Sequence, residues 1–183
     1  MKNILVINGH QPYPFSEGRL NQTIFENMVE FLSVKKEIKT TVVHKGYVVE
    51  AEHEKFTWAD AIIFQSPMFW YSIPGALKTY IDRVYKHGLF YNFSEKYGHG
   101  GLLKGKKYMY SLTMNTPETE FAYGNTFFNG KSLDDVIIHL HKTQQYCGLE
   151  PLKTFGAYDV VKHPDVLEIL KNLNKHISEV FGE

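Results

Sequence analysis

The chain has 183 residues, which fits one globular domain and is short for two. Lys plus Arg and Asp plus Glu both number 20, so the formal net charge is zero. A neutral chain without a long basic run lacks the electrostatic character of a protein that binds nucleic acid or an anionic membrane. We therefore expect one domain over residues 1–183, with neither of these partners.

The cysteine content and the N-terminal segment indicate in which cellular compartment the protein is found. The single cysteine, Cys147, excludes an intramolecular disulfide and a metal site built from several cysteines. The first apolar segment is too short for a signal peptide and ends at Asn8 and Gly9. No window approaches the roughly 20 apolar residues of a membrane helix. These features predict a cytoplasmic protein without membrane insertion.

The first half of the chain alternates strand and helix patterns. Residues 4–7 are a continuous apolar run, typical of a strand buried on both faces. Apolar residues at helical spacing follow over residues 20–32, and residues 38–44 predict a second strand. Residues 52–57 favour one or two helical turns, and residues 60–65 predict the third strand.

The second half continues the alternation with two long loops. A third helix is predicted after Pro74, which suits the first turn of a helix. Strands are predicted over residues 107–113 and 152–161, with a helix between them that has Leu133, Val136, Ile137 and Leu140 on one side. A last helix follows Pro164. This alternation predicts an α/β, flavodoxin-like doubly wound sheet of five parallel strands, order 2-1-3-4-5, with helices on both faces.

The segment between the first strand and the first helix carries groups that suit a phosphate. A helix N-terminus offers unpaired N–H groups and the positive end of a dipole. Ser16, Asn21 and Thr23 add side-chain donors, and His10 and Arg19 add positive charge. Neither a G-x-G-x-x-G loop nor a Walker A sequence is present. The alternative is an ordinary loop in which Ser16 caps the helix.

A bulky segment follows the third strand. Between Pro67 and Pro74 the chain carries four large side chains: Met68, Phe69, Trp70 and Tyr71. We expect the two prolines to hold this backbone extended, so that its amides face the edge of a flat heterocycle such as an isoalloxazine. The alternative is that Phe69 and Trp70 plug the top of the sheet.

Small polar residues follow the fourth strand and complete a three-sided pocket over residues 111–117. Tyr97, in a Gly-rich segment, is placed to lay its ring across an adenine or a quinone, or is simply an exposed aromatic residue. His139 and His141 are two residues apart, so on a helix they diverge and cannot chelate one metal. We expect one of them to face the core and the other to face solvent, and we expect Cys147 to be a small buried hydrophobe.

Seven segments in chain order resemble the modulator of drug activity B family. They are residues 7–9, 16–23, 58–60, 96–102, 105–109, 111–117 and 148–152. Members of this family are flavodoxin-like NAD(P)H:quinone oxidoreductases that carry FAD. The resemblance implies two-electron hydride transfer from the nicotinamide of NAD(P)H to the flavin and then to a quinone or related small-molecule acceptor. It also implies a homodimer with the flavin near the interface. One site shared by the nicotinamide and the acceptor implies ping-pong kinetics.

The resemblance also implies which residues hold the cofactor, with no side chain required for catalysis. The cofactor-binding set is His10, Ser16, Glu17, Gly18, Arg19, Leu20, Asn21, Gln22, Thr23, Pro67, Met68, Phe69, Trp70, Tyr71, Tyr97, Thr113, Met114, Asn115 and Thr116. Backbone amides near residues 113–116 are expected to stabilise charge on the reduced ring. The chain departs from familiar members at residues 68–70, where they have Gly-Trp-Trp, and has a shorter loop before Tyr97 than some members.

Two other functions fit the same architecture. One is an FMN-dependent azo- or nitroreductase, which would carry FMN in place of FAD. The other is an electron carrier of the flavodoxin type, although such carriers usually have an acidic face and this chain is neutral. The sequence leaves open the physiological acceptor and the choice between NADPH and NADH.

Overall fold

Four parallel strands make up most of the sheet in the computed structural model, which describes residues 1–121, 123–162 and 164–182. They are β1 (Asn3–Asn8), β2 (Glu37–Val42), β3 (Ala61–Pro67) and β4 (Lys107–Thr113). The fifth position is shared by β5 (Glu150–Pro151) and β6 (Phe155–Ala157), and both strands pair in parallel with β4. The predicted order 2-1-3-4-5 is confirmed, with a sixth strand added.

Helices cover both faces of this sheet, as predicted. They are α1 (Arg19–Ser33), α2 (Val49–Trp58), α3 (Gly75–Val84), α4 (Leu133–Val136), α5 (Ile138–Tyr146) and α6 (Val166–Phe181). Successive side chains of a strand point to opposite faces, so each strand feeds two cores. Ile4 and Val6 of β1 belong to the core beneath α1 and α6. Leu5 and Ile7 belong to the core beneath α2, α3 and α5.

The boundaries of two elements differ from the predictions. α2 is longer than one or two turns, and its inward-facing residue Glu52 is only 1 % exposed. The Glu52 carboxylate accepts hydrogen bonds from the hydroxyls of Thr41 (2.7 Å) and Tyr80 (2.6 Å), which offset the cost of its burial. The predicted second strand ends early, at Val42, where a short 3-10 turn over Val43–Lys45 begins.

Two further predictions were wrong in the second half. Of the predicted fifth strand over residues 152–161, only Phe155–Ala157 (β6) is a strand, and β5 precedes the predicted range. Between β5 and β6, the carbonyl of Lys153 bonds to the ring of His176 on α6 (2.9 Å). The helix predicted through Leu133 and Leu140 breaks at Ile137 into α4 and α5. α4 has its own start signal, a capping box between Ser132 and Asp135.

The long loop between α3 and β4 is fixed against the end of α5. The amide of Leu103 donates to the carbonyl of Cys147 over 2.9 Å. Gly101 lies so close to Gly148 that a Cβ at residue 101 would sit 2.2 Å from the Gly148 nitrogen. Cys147 is buried, as predicted, and burial raises the pKa of its thiol to about 12. Within the described residues, every helix is too short or too polar to cross a bilayer.

Candidate functional site

A cleft of about 290 Å³ lies at the carboxyl ends of β1, β3 and β4. This is the edge at which doubly wound sheets bind ligands. Its lining comes from the segments after these three strands and from a short stretch after β6: His10, Ser16, Gly18, Arg19, Leu20, Asn21, Pro67, Met68, Phe69, Thr113, Met114, Asn115, Val160 and Val161. The structure therefore brings twelve of the predicted residues together, and it adds the two valines, which the sequence analysis missed.

Val160 reaches the cleft because its amide bonds to the carbonyl of Met114 over 3.2 Å, next to a bond from the Met114 amide to Ala157 (2.9 Å). The amide of Met114 is thus occupied within the sheet. The expectation that the amides of residues 113–116 face a ligand is wrong at this residue. No sequence pattern marked Val160, because its position depends on the pairing of β6 with β4.

His10 is a buried polar residue of the cleft, and one nitrogen of its ring is unpaired. Its side chain is 3 % exposed, and Nε2 has no hydrogen-bond partner among the described residues. Burial lowers the pKa of His10, nearby His44 acts in the same direction, and a backbone hydrogen bond with Ser16 opposes both. An unpaired buried nitrogen is costly, so this atom is suited to a ligand that supplies the missing partner.

The start of α1 lies over the His10 ring. Gly18 caps the helix in the left-handed conformation (φ 80°), and a Cβ there would sit 2.2 Å from the ring. No side chain caps the first turn, and no acidic residue lies within it. The first N–H groups of α1 are therefore free to bind an anion such as a phosphate. The alternative in which Ser16 caps the helix is wrong, because Ser16 closes a tight turn with Tyr13 instead (2.9 and 3.0 Å).

Three predicted residues around the start of α1 are paired with other groups of the protein. The Thr23 hydroxyl donates to the carbonyl of Arg19 over 3.0 Å, so it is not free as a phosphate donor. Glu17 forms an exposed ion pair with Arg19 (2.8 Å). The Gln22 side chain accepts a hydrogen bond from Asn8 (2.9 Å). All three lie outside the lining of the cleft.

A buried chain of polar side chains fixes α1 to the sheet. Asn8, Gln65 and Ser111 are aligned in register on β1, β3 and β4. Ser111 donates to Gln65 (2.6 Å), Gln65 donates to Asn21 (2.9 Å) and Asn21 donates to Asn8 (2.8 Å). This network was not predicted, although amide side chains at the ends of two apolar strands are its signal in the sequence.

The aromatic segment after β3 forms a tight turn. Phe69 and Ser72 exchange two backbone hydrogen bonds (2.9 and 3.0 Å), and Trp70 and Tyr71 between them have φ of 49° and 60°. The predicted extended backbone is wrong here, since this reciprocal pair reverses the chain. Phe69 lines the cleft, with its ring 5.5 Å from that of Tyr13. Trp70 is 94 % exposed, and neither it nor Tyr71 lines the cleft.

Tyr97 lies elsewhere, in a second cavity of about 580 Å³, with its ring 5.7 Å from that of Tyr146. The structure does not bring Tyr97 or Thr116 into the cleft of His10.

The two histidines of α5 face opposite ways, as predicted. His139 is exposed and lines the cavity of Tyr97, whereas His141 is buried. His141 bonds to Tyr108 (2.7 Å) and Asp134 (3.1 Å), which ties α5 to β4 and α4.

The sheet order and the position of the cleft define a flavodoxin-like protein, and the model of a family with the flavodoxin-like fold matches residues 2–180. The chain belongs to this fold family and, within it, to the modulator of drug activity B family. The NADPH:quinone oxidoreductase MdaB of Haemophilus influenzae is 42% identical to this chain in an alignment 191 positions long. The alignment covers 98% of this chain and 100% of the relative. The resemblance predicted from the seven segments is confirmed.

Solved structures share the fold at lower identity. The general stress protein 14 of Treponema denticola, in complex with FMN, superposes with a TM-score of 0.76 at 16% identity and covers 100% of this chain and 99% of its own. An NAD(P)H:quinone oxidoreductase of Methanothermobacter marburgensis has a TM-score of 0.72 at 15% identity, with 95% and 96% covered. At these identities the likeness concerns the fold.

Proposed function

We propose that this protein is an NAD(P)H:quinone oxidoreductase with a bound flavin, the activity for which its Haemophilus relative is named. The observation that carries the proposal is the composition of one cleft. It combines the unpartnered Nε2 of His10, the start of α1, which no side chain caps, and the ring of Phe69. A flavin nucleotide has an anionic phosphate and a flat ring, and these features match the two ends of the cleft.

The residues divide into those that bind the phosphate and those that pack against the ring. His10 and the first amides of α1 would hold the phosphate, and no acidic side chain lines the described cleft to repel it. Met68, Phe69 and Met114 would pack against the ring. When bound, the flavin accepts a hydride from NAD(P)H and passes it to the quinone. The remaining cofactor-binding residues stay predictions.

We propose FAD rather than FMN as the cofactor. A third cavity, of about 310 Å³ and distinct from that of Tyr97, is lined by Pro14, Phe15 and Glu17 and meets the cleft at Gly18 and Arg19. The outer face of the Phe15 ring, which is 81 % exposed, offers a surface for an adenine. The FMN complex of the Treponema structure favours the alternative. Chromatography of the flavin released by acid from purified protein distinguishes the two.

One cleft that serves both substrates in turn predicts ping-pong kinetics. Initial rates at several fixed quinone concentrations should give parallel double-reciprocal lines against NADPH. NADH in place of NADPH gives the nicotinamide preference. Purified protein that holds no flavin, and gains no NADPH oxidation with a quinone when FAD or FMN is added, would overturn the proposed function.

We propose a cytoplasmic homodimer in which the flavin lies near the interface. Exposed aromatic residues follow Phe69 of the cleft, with Tyr71 stacked on Phe127 at 5.7 Å and the exposed Trp70 preceding Tyr71 in the chain. Exposed apolar patches of this kind favour association between chains. Sedimentation velocity of the flavin-loaded protein tests the dimer. A Tyr97→Ala variant tests the predicted flavin contact of Tyr97 through its flavin dissociation constant.

A further inference from the structure

The Phe69–Ser72 turn holds two aromatic residues in a backbone conformation that such residues seldom adopt. Trp70 and Tyr71 have φ of 49° and 60°, within the left-handed region that favours glycine. Such strain persists only where the surrounding structure holds the residue in place. Trp70 is 94 % exposed, so its own side chain contributes little to holding the turn.

Two sets of contacts hold the turn from outside. The Tyr71 ring lies 5.7 Å from that of Phe127 and 5.4 Å from that of Phe128. On the other side, the Ser72 hydroxyl hydrogen-bonds to Nε2 of His139 over 3.3 Å. Among the described residues, this bond is the only polar contact between the turn and a helix. The proposed flavin site gives no reason for it.

His139 stands on a helix that is itself fixed to the sheet. Its neighbours Leu140 and His141 are buried, and each is bonded to a tyrosine of β4. The Tyr110 hydroxyl donates to the carbonyl of Leu140 (3.2 Å), and Tyr108 bonds to the His141 ring (2.7 Å). A side chain supported in this way offers Ser72 a partner at a defined place.

We propose that His139 is a positioning residue, which acts through Ser72 to set the place of the Phe69–Ser72 turn. Phe69 begins the turn and lines the cleft, so the place of the turn sets the shape of the cleft wall. The consequence for substrate rests on the proposed function. The effect on the turn itself does not, and it is measured separately.

Trp70 reports directly on the turn. The chain has two tryptophans, and Trp58→Phe leaves Trp70 alone. Trp58 ends α2, and its carbonyl accepts a bond from the side chain of Asn3 at the amino end of β1. The turn lies at the carboxyl ends of the strands, so this background leaves it intact. The fluorescence anisotropy decay of Trp70 in the protein as purified then measures the local motion of the turn on the nanosecond timescale.

His139→Ala and Ser72→Ala should each increase the fast-decaying fraction of the Trp70 anisotropy by about twofold. His139→Gln, which keeps a hydrogen-bonding group for Ser72, should restore the original decay. Lys142→Ala is the matched control, because Lys142 lies on the same helix and lines the same cavity but bonds to Gln145 (2.9 Å). An unchanged decay in His139→Ala, or a failure of His139→Gln to restore it, would overturn the proposal.

The kinetic consequence is a separate readout. His139→Ala should raise KM for the quinone by about threefold with the urea midpoint unchanged, and His139→Gln should reverse the change. If the anisotropy changes as expected in a protein that binds no flavin, the proposed function fails and the positioning role stands. If NADPH reduces the bound flavin but the Trp70 decay is the same in all variants, the positioning role alone fails.

Discussion

The side-chain amide of Gln65 donates a hydrogen bond over 2.9 Å to the side-chain oxygen of Asn21, and this bond joins the central strand β3 to α1. Both side chains are buried, and Gln65 also accepts from the Ser111 hydroxyl. The first turn of α1 therefore has a fixed place relative to the sheet. In a medium from which water is excluded, such a network is stabilising only while every member is paired.

Gln65→Leu should destabilise the protein by about 2–4 kcal/mol, because it leaves the side-chain oxygen of Asn21 and the hydroxyl of Ser111 without their buried partner. Urea unfolding at neutral pH measures the change. Thr23 lies on α1, as Asn21 does, and Thr23→Ala removes only a hydroxyl that bonds to the Arg19 carbonyl. This control variant should alter stability by less than about 0.5 kcal/mol. A loss of stability in Gln65→Leu no larger than that of Thr23→Ala would show that the network is not stabilising.

His10→Gln should weaken flavin binding by about tenfold, because a charge-assisted hydrogen bond to phosphate contributes about 1.5–3 kcal/mol and glutamine recovers only part of it. Quenching of flavin fluorescence during titration of the apoprotein gives the dissociation constant. His44→Gln is the matched control, since His44 is exposed and bonds to the His10 carbonyl (3.3 Å) rather than lining the cleft. Equal losses in the two variants would argue against a phosphate role for His10.

The stability of the apoprotein should decrease as pH is lowered through the region where histidine titrates. Burial lowers the pKa of His10, so the unfolded chain binds a proton near its ordinary pKa of about 6.5 that the folded chain takes up only at lower pH. Stability is thus fully present above this value and is lost as pH falls below it. The pKa of His176 is also lowered by burial. His10→Gln and His176→Gln should each flatten part of the pH dependence of the urea midpoint, and a slope unchanged in both would contradict the assignment.

Trp70→Gly should be more stable than Trp70→Ala by about 1 kcal/mol, because glycine relieves the left-handed strain that alanine retains. Both variants lose the same exposed indole, so the difference isolates the backbone. At Lys171, exposed within α6, the order should be reversed, with alanine the more stable by about 1 kcal/mol. Urea midpoints of the four variants test the pair of predictions, and alanine ahead of glycine at both positions would contradict the strain at Trp70.

Gly101→Ala should cost about 2–3 kcal/mol, because its Cβ would lie 2.2 Å from the Gly148 nitrogen and 2.4 Å from the Cys147 carbonyl carbon. Both are backbone atoms, which cannot move aside as a side-chain end does. Gly75→Ala at the first residue of α3 meets open space and should be neutral or stabilising by up to about 1 kcal/mol. Thermal unfolding of the two variants makes the comparison, and similar midpoints would refute the close approach.

The parts of the fold that the sequence predicted are those with an uninterrupted local pattern. The apolar run through Ile4 and Ile7 defines β1, and repeated strand–helix alternation is enough for the sheet order. The start of α2 was missed because its inward face carries Glu52, whose hydroxyl partners lie on β2 and α3, beside an ion pair with Lys55 on α2 itself. A pattern within one segment cannot reveal that hydroxyls from other segments meet a buried carboxylate.

The same distinction holds at the site. The loop with His10 and Gly18 was predicted because phosphate-binding features are local to a helix start. The left-handed turn at Trp70, the hydrogen bond between Ser72 and His139, and the arrival of Val160 each depend on contacts between distant segments. Tyr97 was assigned to the flavin by resemblance, and within one chain it lines a different cavity.

The interruption between β5 and β6 has a consequence for the behaviour of the protein at high concentration. A long, regular outer strand offers a row of free N–H and C=O groups to which a neighbouring molecule can add its own strand. Here that border consists of one strand of two residues and one of three, separated by the segment that His176 holds. At the opposite border, β2 carries the exposed charges of Glu37 and Lys39. Neither border favours the end-to-end joining of sheets from which fibrils grow, so the fold resists that route to aggregation.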